Sequence, residues 1–101
     1  MRFYAWDPDK AASNLRKHGV SFESAVAVFE DPDALTIQDR VENGEVRWQT
    51  LGMVEGRLLL MVAHTEDEDG DDEIVRIISA RPANRFERRR YEAARDSSHG
   101  R

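Results

Sequence analysis

RIISARPANRFERRRY, Arg76 to Tyr91, is the stretch on which the fold turns. Ile74, Val75, Ile77 and Ile78 are β-branched and nearly consecutive, which suits a strand covered on both faces. Arg76 among them is therefore expected to meet an anion or the edge of the core. Ser79 to Pro82 should end the strand, because the residue before a proline disfavours helical geometry while proline suits a first helical turn. The spacing then predicts a helix from about Ala83 to Arg95. At 3.6 residues per turn its inner arc is Ala83, Phe86, Tyr91, Ala93 and Ala94, with Arg85, Arg88, Arg89 and Arg95 outward or flanking. Seven arginines lie between Arg76 and Arg95, and no lysine follows Lys17. Guanidinium forks grip phosphate oxygens in pairs, as an ammonium does not, so phosphate is the ligand this junction suggests. The plainer alternative is that Arg85, Arg89, Arg90 and Arg95 solvate a helix face or pair with Glu87 and Glu92.

Upstream of this junction, Leu58 to Ala63 is apolar at every position, the pattern of a central strand with helices on one face and a ligand or partner on the other. Strands are expected at Ala34 to Gln38, Val46 to Val54, Arg57 to Thr65 and Ile74 to Ser79, a four-stranded antiparallel meander with a Glu55-Gly56 turn. Phe3 to Trp6 reads as a short first strand. Asp7-Pro8 then supplies an N-cap and a first-turn proline, and His18-Gly19 a helix end. Ala11, Ala12 and Leu15 form the inner stripe of that helix, and Lys10, Asn14 and Lys17 the outer one. Ser21 caps a second helix in which Phe22, Ala25, Val26 and Phe29 recur, and Asp31-Pro32 stops it. Trp6 and Trp48 read as packing residues. The order βααββββα is α+β, an antiparallel sheet of four to five strands packed by two N-terminal helices and a C-terminal one.

The 101 residues make one small domain, residues 1–96, with a frayed tail at 97–101. There is no apolar run of membrane-spanning length, and the amino terminus reads as a strand rather than a signal peptide, so a cytoplasmic location with no membrane partner is expected. With no cysteine, and with His18, His64 and His99 scattered, neither a metal nor a cofactor is expected. The net charge of −5 conceals a division. Glu66 to Glu73, EDEDGDDE, holds seven acids and reads as a solvated hairpin loop, or a patch for a basic partner, without the spacing of a calcium loop. From Arg76 onward, eight arginines stand against three acids.

No phosphate-binding glycine loop, nucleophile elbow or zinc-protease motif occurs. What remains is Lys10, His18, Arg47, His64, Arg76, Arg81, Arg88 and Tyr91, a set suited to cutting RNA. There the ribose 2′-hydroxyl is the nucleophile, and the protein must align it, move protons and stabilise the phosphorane charge. His18, at a helix carboxyl end where the macrodipole favours a cation, reads as a general acid or phosphate contact, or else as a cap. His64 faces the same choice. Tyr91 lies one turn beyond Arg88, so both could share a cleft rim, unless the ring belongs to the core.

FYAWDPDKAASNLRKHGVSFESA (Phe3 to Ala25), EVRWQTLG (Glu45 to Gly52), the His64-Thr65-Glu66 strand end and the Arg76 to Tyr91 stretch follow one another as ordered blocks. In them the chain resembles the BrnT family of type II toxin–antitoxin toxins, which have a RelE-like ribonuclease fold. The resemblance runs nearly end to end. It departs at Asp67, where relatives often carry arginine, and at Pro82, often basic in relatives; the loss of that loop arginine implies either weaker RNA affinity or a shift of its role to Arg57 or Arg76. The resemblance implies an endoribonuclease that arrests translation and growth, neutralised by a BrnA-type ribbon-helix-helix antitoxin whose complex binds promoter DNA. Carried across, the catalytic positions fall on His18, Arg47, His64, Arg81, Arg88 and Tyr91, and Lys10, Lys17, Arg76, Arg85 and Arg89 would hold RNA. Within that set Arg81 and Arg88 are assigned to the transition state and His18 or Tyr91 to proton transfer, with no metal. The alternative is a non-catalytic binding subunit of a DNA-binding autorepressor complex.

Overall fold

The computed structural model describes residues 1–99. Its elements are β1 (Arg2–Ala5), α1 (Pro8–His18), α2 (Phe22–Val26) running into a 3₁₀ turn (Ala27–Glu30), β2 (Leu35–Glu42), β3 (Glu45–Val54), β4 (Leu58–Asp69), β5 (Asp72–Pro82) and α3 (Arg85–His99). The expected α+β order is present. One sheet holds all five strands in the order β1-β5-β4-β3-β2. Strands β2 to β5 form the antiparallel meander, but β1 joins β5 in parallel, so the sheet is mixed.

Local chemistry sets most boundaries. Asp7 caps α1 by accepting from the Asp9 N–H, Pro8 opens the helix, and Gly19 at φ 69° closes it by donating its N–H to the Leu15 carbonyl. Ser21 caps α2 by accepting from the Ser24 N–H. Asn43-Gly44, both at positive φ, turn β2 into β3, a hairpin signal that lengthens both strands beyond expectation.

Two expected loops are strand. The acidic run is not a solvated loop: Glu66 to Asp69 finish β4, Asp72 and Glu73 begin β5, and only Gly70-Asp71 turns between them. Six of the seven acids are exposed and Asp72 is half-buried, so this end of the hairpin stays solvated on both faces although it is strand. At the other end β5 runs through Pro82, opposite Leu60, and α3 begins only at Arg85. The last pairing tolerates a residue with no N–H. The helix then continues to His99, past the expected end at Arg95; Gly100 and Arg101, part of the expected tail, lie outside the described residues.

Strand β4 is covered on both faces, as its composition requires. Leu60 and Val62 pack with Val20, Phe22, Ala25, Val28, Ile77 and Ala80 under α1 and α2. Gly52 of β3 lies beneath the 3₁₀ turn, where any side chain would meet Val28 Cγ1 at 2.6 Å and its carbonyl oxygen at 2.7 Å. Leu59 and Met61 face the other way and pack with Leu51 and Tyr91, so α3 closes the part of that face expected to await a partner.

Helix α1 sits otherwise than its apolar residues suggest. Ala12 and Leu15 are exposed, whereas Asn14 is buried. The cause is the sheet edge. Strand β1 ends with Ala5 opposite Arg76, leaving the outer edge of β5 beyond that point without a strand neighbour. Asn14 fills the gap: its Nδ2 donates to the carbonyls of Ala80 (2.8 Å) and Val20 (3.0 Å), and its Oδ1 accepts from the Ala80 N–H (3.1 Å). Asn14→Ala would orphan all three buried groups, and is expected to cost about 3 kcal/mol and roughly 15 °C in thermal midpoint. An unchanged midpoint would show that the β5 edge is satisfied without it.

Candidate functional site

Asn14 brings its helical neighbours with it. Lys10, four residues before, and Lys17 and His18, three and four after, share its side of α1. With Ser13 and with Ile78 and Ser79 of β5 they line a shallow hollow of about 150 Å³. Drug-sized ligands occupy about 300–1,000 Å³, so this space fits a small anion such as a phosphate group rather than a nucleoside. The ammonium groups of Lys10 and Lys17 make it cationic, and the basic last turn of α1, with Arg16, Lys17 and His18, offsets the partial negative charge of the unpaired carbonyls there. Ile78 reaches the rim because the register slips there: Ala63 pairs with Ser79 and His64 with Ile77, leaving Ile78 as an extra residue.

The structure therefore gathers Lys10, Lys17 and His18, and spreads the other expected site residues elsewhere. Arg81 is engaged. Its two terminal nitrogens donate to the two carboxylate oxygens of Glu87, each at 2.8 Å. Glu87 also accepts from the Asn84 N–H (2.9 Å) and donates its own N–H to Asn84 Oδ1 (2.8 Å), a capping box that fixes the start of α3. The hydrogen bonds to the Glu87 carboxylate hold the Arg81 pKa above its ordinary value, and the same bonds from Arg81 hold Glu87 below the usual carboxylate range. This guanidinium serves the helix start rather than an open phosphate site.

Tyr91 is core, not cleft. It is 2% exposed, and its hydroxyl donates to Asp31 Oδ2 at 2.6 Å. Asp31 also accepts from the N–H groups of Met53 (2.8 Å) and Asp33 (2.9 Å). Burial opposes its charge, but the Tyr91 hydroxyl and the two N–H groups outweigh burial and keep the carboxyl ionised below its usual range. Burial, and the same hydrogen bond seen from the other side, push Tyr91 up to about 12. A phenol so held does not trade protons near neutrality.

His64 is wholly buried. Its Nε2 lies 2.7 Å from Thr50 Oγ1, which lies 2.8 Å from Thr36 Oγ1, a polar chain across three strands. Phe29 packs edge-on against the ring at 4.9 Å. Burial, with the Arg2 charge adding, lowers its pKa to about 4, so His64 is a neutral structural residue.

The remaining arginines of the expected site lie on the open surface or near it. Arg47 is mostly covered and pairs with Glu42 at 3.1 Å. Arg76, opposite Thr65, is exposed rather than set at a core edge. Arg85, Arg88 and Arg89, with Arg90, project from α3. Arg88 is thus outside any rim shared with Tyr91. Phe86 is also out, at 59% exposure, although its spacing assigns it to the inner arc. Sequence reading missed Asp31 and the Asn84 cap; the N-x-x-E signature at Asn84 to Glu87 was legible, whereas nothing local marks Asp31 as the acceptor for a residue sixty positions away.

Comparison with known proteins assigns the family. Residues 6–87 match the family model of the ribonuclease toxin BrnT of type II toxin–antitoxin systems. The chain belongs to the BrnT family. The match spans α1 with its hollow through to Glu87 of the α3 clamp. The crystal structure of the Brucella abortus ribonuclease toxin BrnT, determined at 1.1 Å, is similar in fold, with a TM-score of 0.64 at 23% identity over 84% of this chain and 99% of that one. A search of curated proteins finds no match. A BrnT toxin of this sequence should lose stability on acidification through His64. An unfolded histidine titrates near 6.5 and the folded one near 4, so below pH 6.5 only the unfolded chain takes the proton. Between pH 7 and pH 5 urea unfolding should show a loss of about 2 kcal/mol that His64→Gln lacks; equal slopes for the two proteins would contradict the assignment.

Proposed function

We propose that this BrnT-family ribonuclease toxin cuts RNA with the scissile phosphate seated in the Lys10, Lys17 and His18 hollow. The supporting observation is the convergence itself: of the residues nominated for chemistry, these three share one anion-sized concavity, while Arg81, Tyr91 and His64 are committed to the fold. The ribose 2′-oxygen attacks phosphorus and its proton leaves to water. The bond from phosphorus to the 5′-oxygen breaks as His18 supplies a proton to that oxygen, giving a 2′,3′-cyclic phosphate and a free 5′-hydroxyl. Lys10 and Lys17 offset the charge that develops on the phosphorane. The nucleophile comes from the substrate and the positive charge from the lysines, so the step uses no metal.

Arg76 and the outward arginines of α3 supply the wider electrostatic track for the strand. The protein acts in the cytoplasm, where it halts translation, and is held inactive by a BrnA-like ribbon-helix-helix antitoxin. That complex, rather than the toxin alone, binds promoter DNA.

Purified protein and end-labelled single-stranded RNA, in the presence of a chelator, provide the test. His18→Ala is expected to slow cleavage by roughly 100-fold, and the Lys10→Ala, Lys17→Ala pair by a similar factor, with thermal midpoints within a few degrees of the parent because all three side chains are exposed. Cyclic phosphate ends are expected on the products. Undiminished cleavage by folded His18→Ala would remove the hollow from the chemistry, and intact RNA with the parent protein would favour the non-catalytic repressor subunit.

A further inference from the structure

Phe86 is the second residue of α3 after the Asn84 cap, and the reciprocal Asn84 and Glu87 hydrogen bonds hold that turn rigid. A single exposed apolar side chain is ordinary on a protein surface and by itself indicates nothing. The surroundings of this one are specific. The guanidinium carbon of Arg85 lies 5.0 Å from the ring centroid and that of Arg89 lies 5.8 Å from it, both within cation–π range. Phe86 itself is 59% exposed beside these two charged forks. Elsewhere on this turn Glu87 is already taken by Arg81, whereas Arg88 and Arg90 add further exposed positive charge.

Resting on the reading of the chain as an RNA-cutting toxin, we propose that Phe86, flanked by Arg85 and Arg89, is a stacking platform for an unpaired base of the substrate strand. Sequence-tolerant single-strand binding needs aromatic faces for bases and cations tracking the backbone, and both are present here on one helical turn. A paired base keeps its faces within the stack, so the platform selects single-stranded RNA. Strand β5 links the platform to the hollow. Both hang from the carboxyl end of β5: Ser79 lines the hollow, and Pro82, where the strand ends before α3, is roughly 10 Å further along at strand rise. An acidic protein segment would also suit the charge. An exposed ring with two guanidiniums beside it favours the nucleobase, which offers a flat π surface and an adjacent anion together.

The test measures binding of a fluorescent single-stranded RNA whose 2′-hydroxyls are methylated, so that it cannot be cut, and cleavage of the unmodified strand alongside. Phe86→Ala is expected to weaken binding roughly tenfold, Phe86→Trp to retain it, and a duplex of the same sequence to bind both equally. Replacing Arg85 and Arg89 by alanine should lower the slope of log affinity against log salt by roughly one to one and a half. Thermal midpoints of the variants verify folding. If Phe86→Ala binds and cuts the strand as well as the parent, the platform is refuted while the ribonuclease reading stands. If Phe86→Ala binds RNA normally but loses a co-expressed antitoxin, the surface belongs to a protein partner and the platform is likewise refuted. Phe86-dependent binding of a strand that is never cut would preserve the platform and overturn the cleavage reading.

Discussion

One primary amide stands in for a missing strand. Where β1 stops, the outer edge of β5 would expose backbone groups in a buried setting, and the Asn14 side chain pairs the N–H and C=O of Ala80 as a neighbouring strand would. That demand fixes how far α1 lies from the sheet and how it is rotated. The rotation in turn decides which residues flank the amide. Lys10, Lys17 and His18 overlook Ser79 because they are one helical turn from Asn14, and Leu15 is left in water by the same geometry. The cationic hollow is a consequence of how the sheet edge is closed.

The opposite face is fastened at two places along α3. Arg81 and Glu87 secure its start, and Tyr91 with Asp31 secures it a turn further on. Asp31 receives three hydrogen bonds from three parts of the chain, so a single carboxylate joins the end of the 3₁₀ turn, β3 and α3. Ionised acceptors make the stronger class of hydrogen bond. Because these contacts anchor the helix, Phe86 and the arginines around it are free of packing duties.

Charge is segregated along β5. The acids occupy its hairpin with β4 at the amino end, while the hollow and the start of α3 lie at the carboxyl end. Seven residues of strand separate Asp72 from Ser79, roughly 23 Å, against a Debye length of about 8 Å at physiological salt. A backbone anion at the hollow therefore feels little of the repulsion that the net charge of −5 would suggest.

Much of this protein was determined by local sequence. Caps and punctuation at Asp7-Pro8, Gly19, Ser21 and Asp31-Pro32, with the apolar run of β4, settled the element order, because each acts through neighbours within a turn or along one strand. The basic character of α1 and α3 was equally plain, as was a nearly end-to-end likeness to one toxin family. Tertiary structure alone decided the parallel seat of β1, the burial of Asn14, the withdrawal of Arg81 and Tyr91 into the scaffold, and the exposure of Phe86. Those outcomes depend on partners far away in sequence: Asn14 reaches Ala80 and Tyr91 reaches Asp31. Helical periodicity reports which side chains share a face; whether that face meets core, sheet edge or water is set by the rest of the fold.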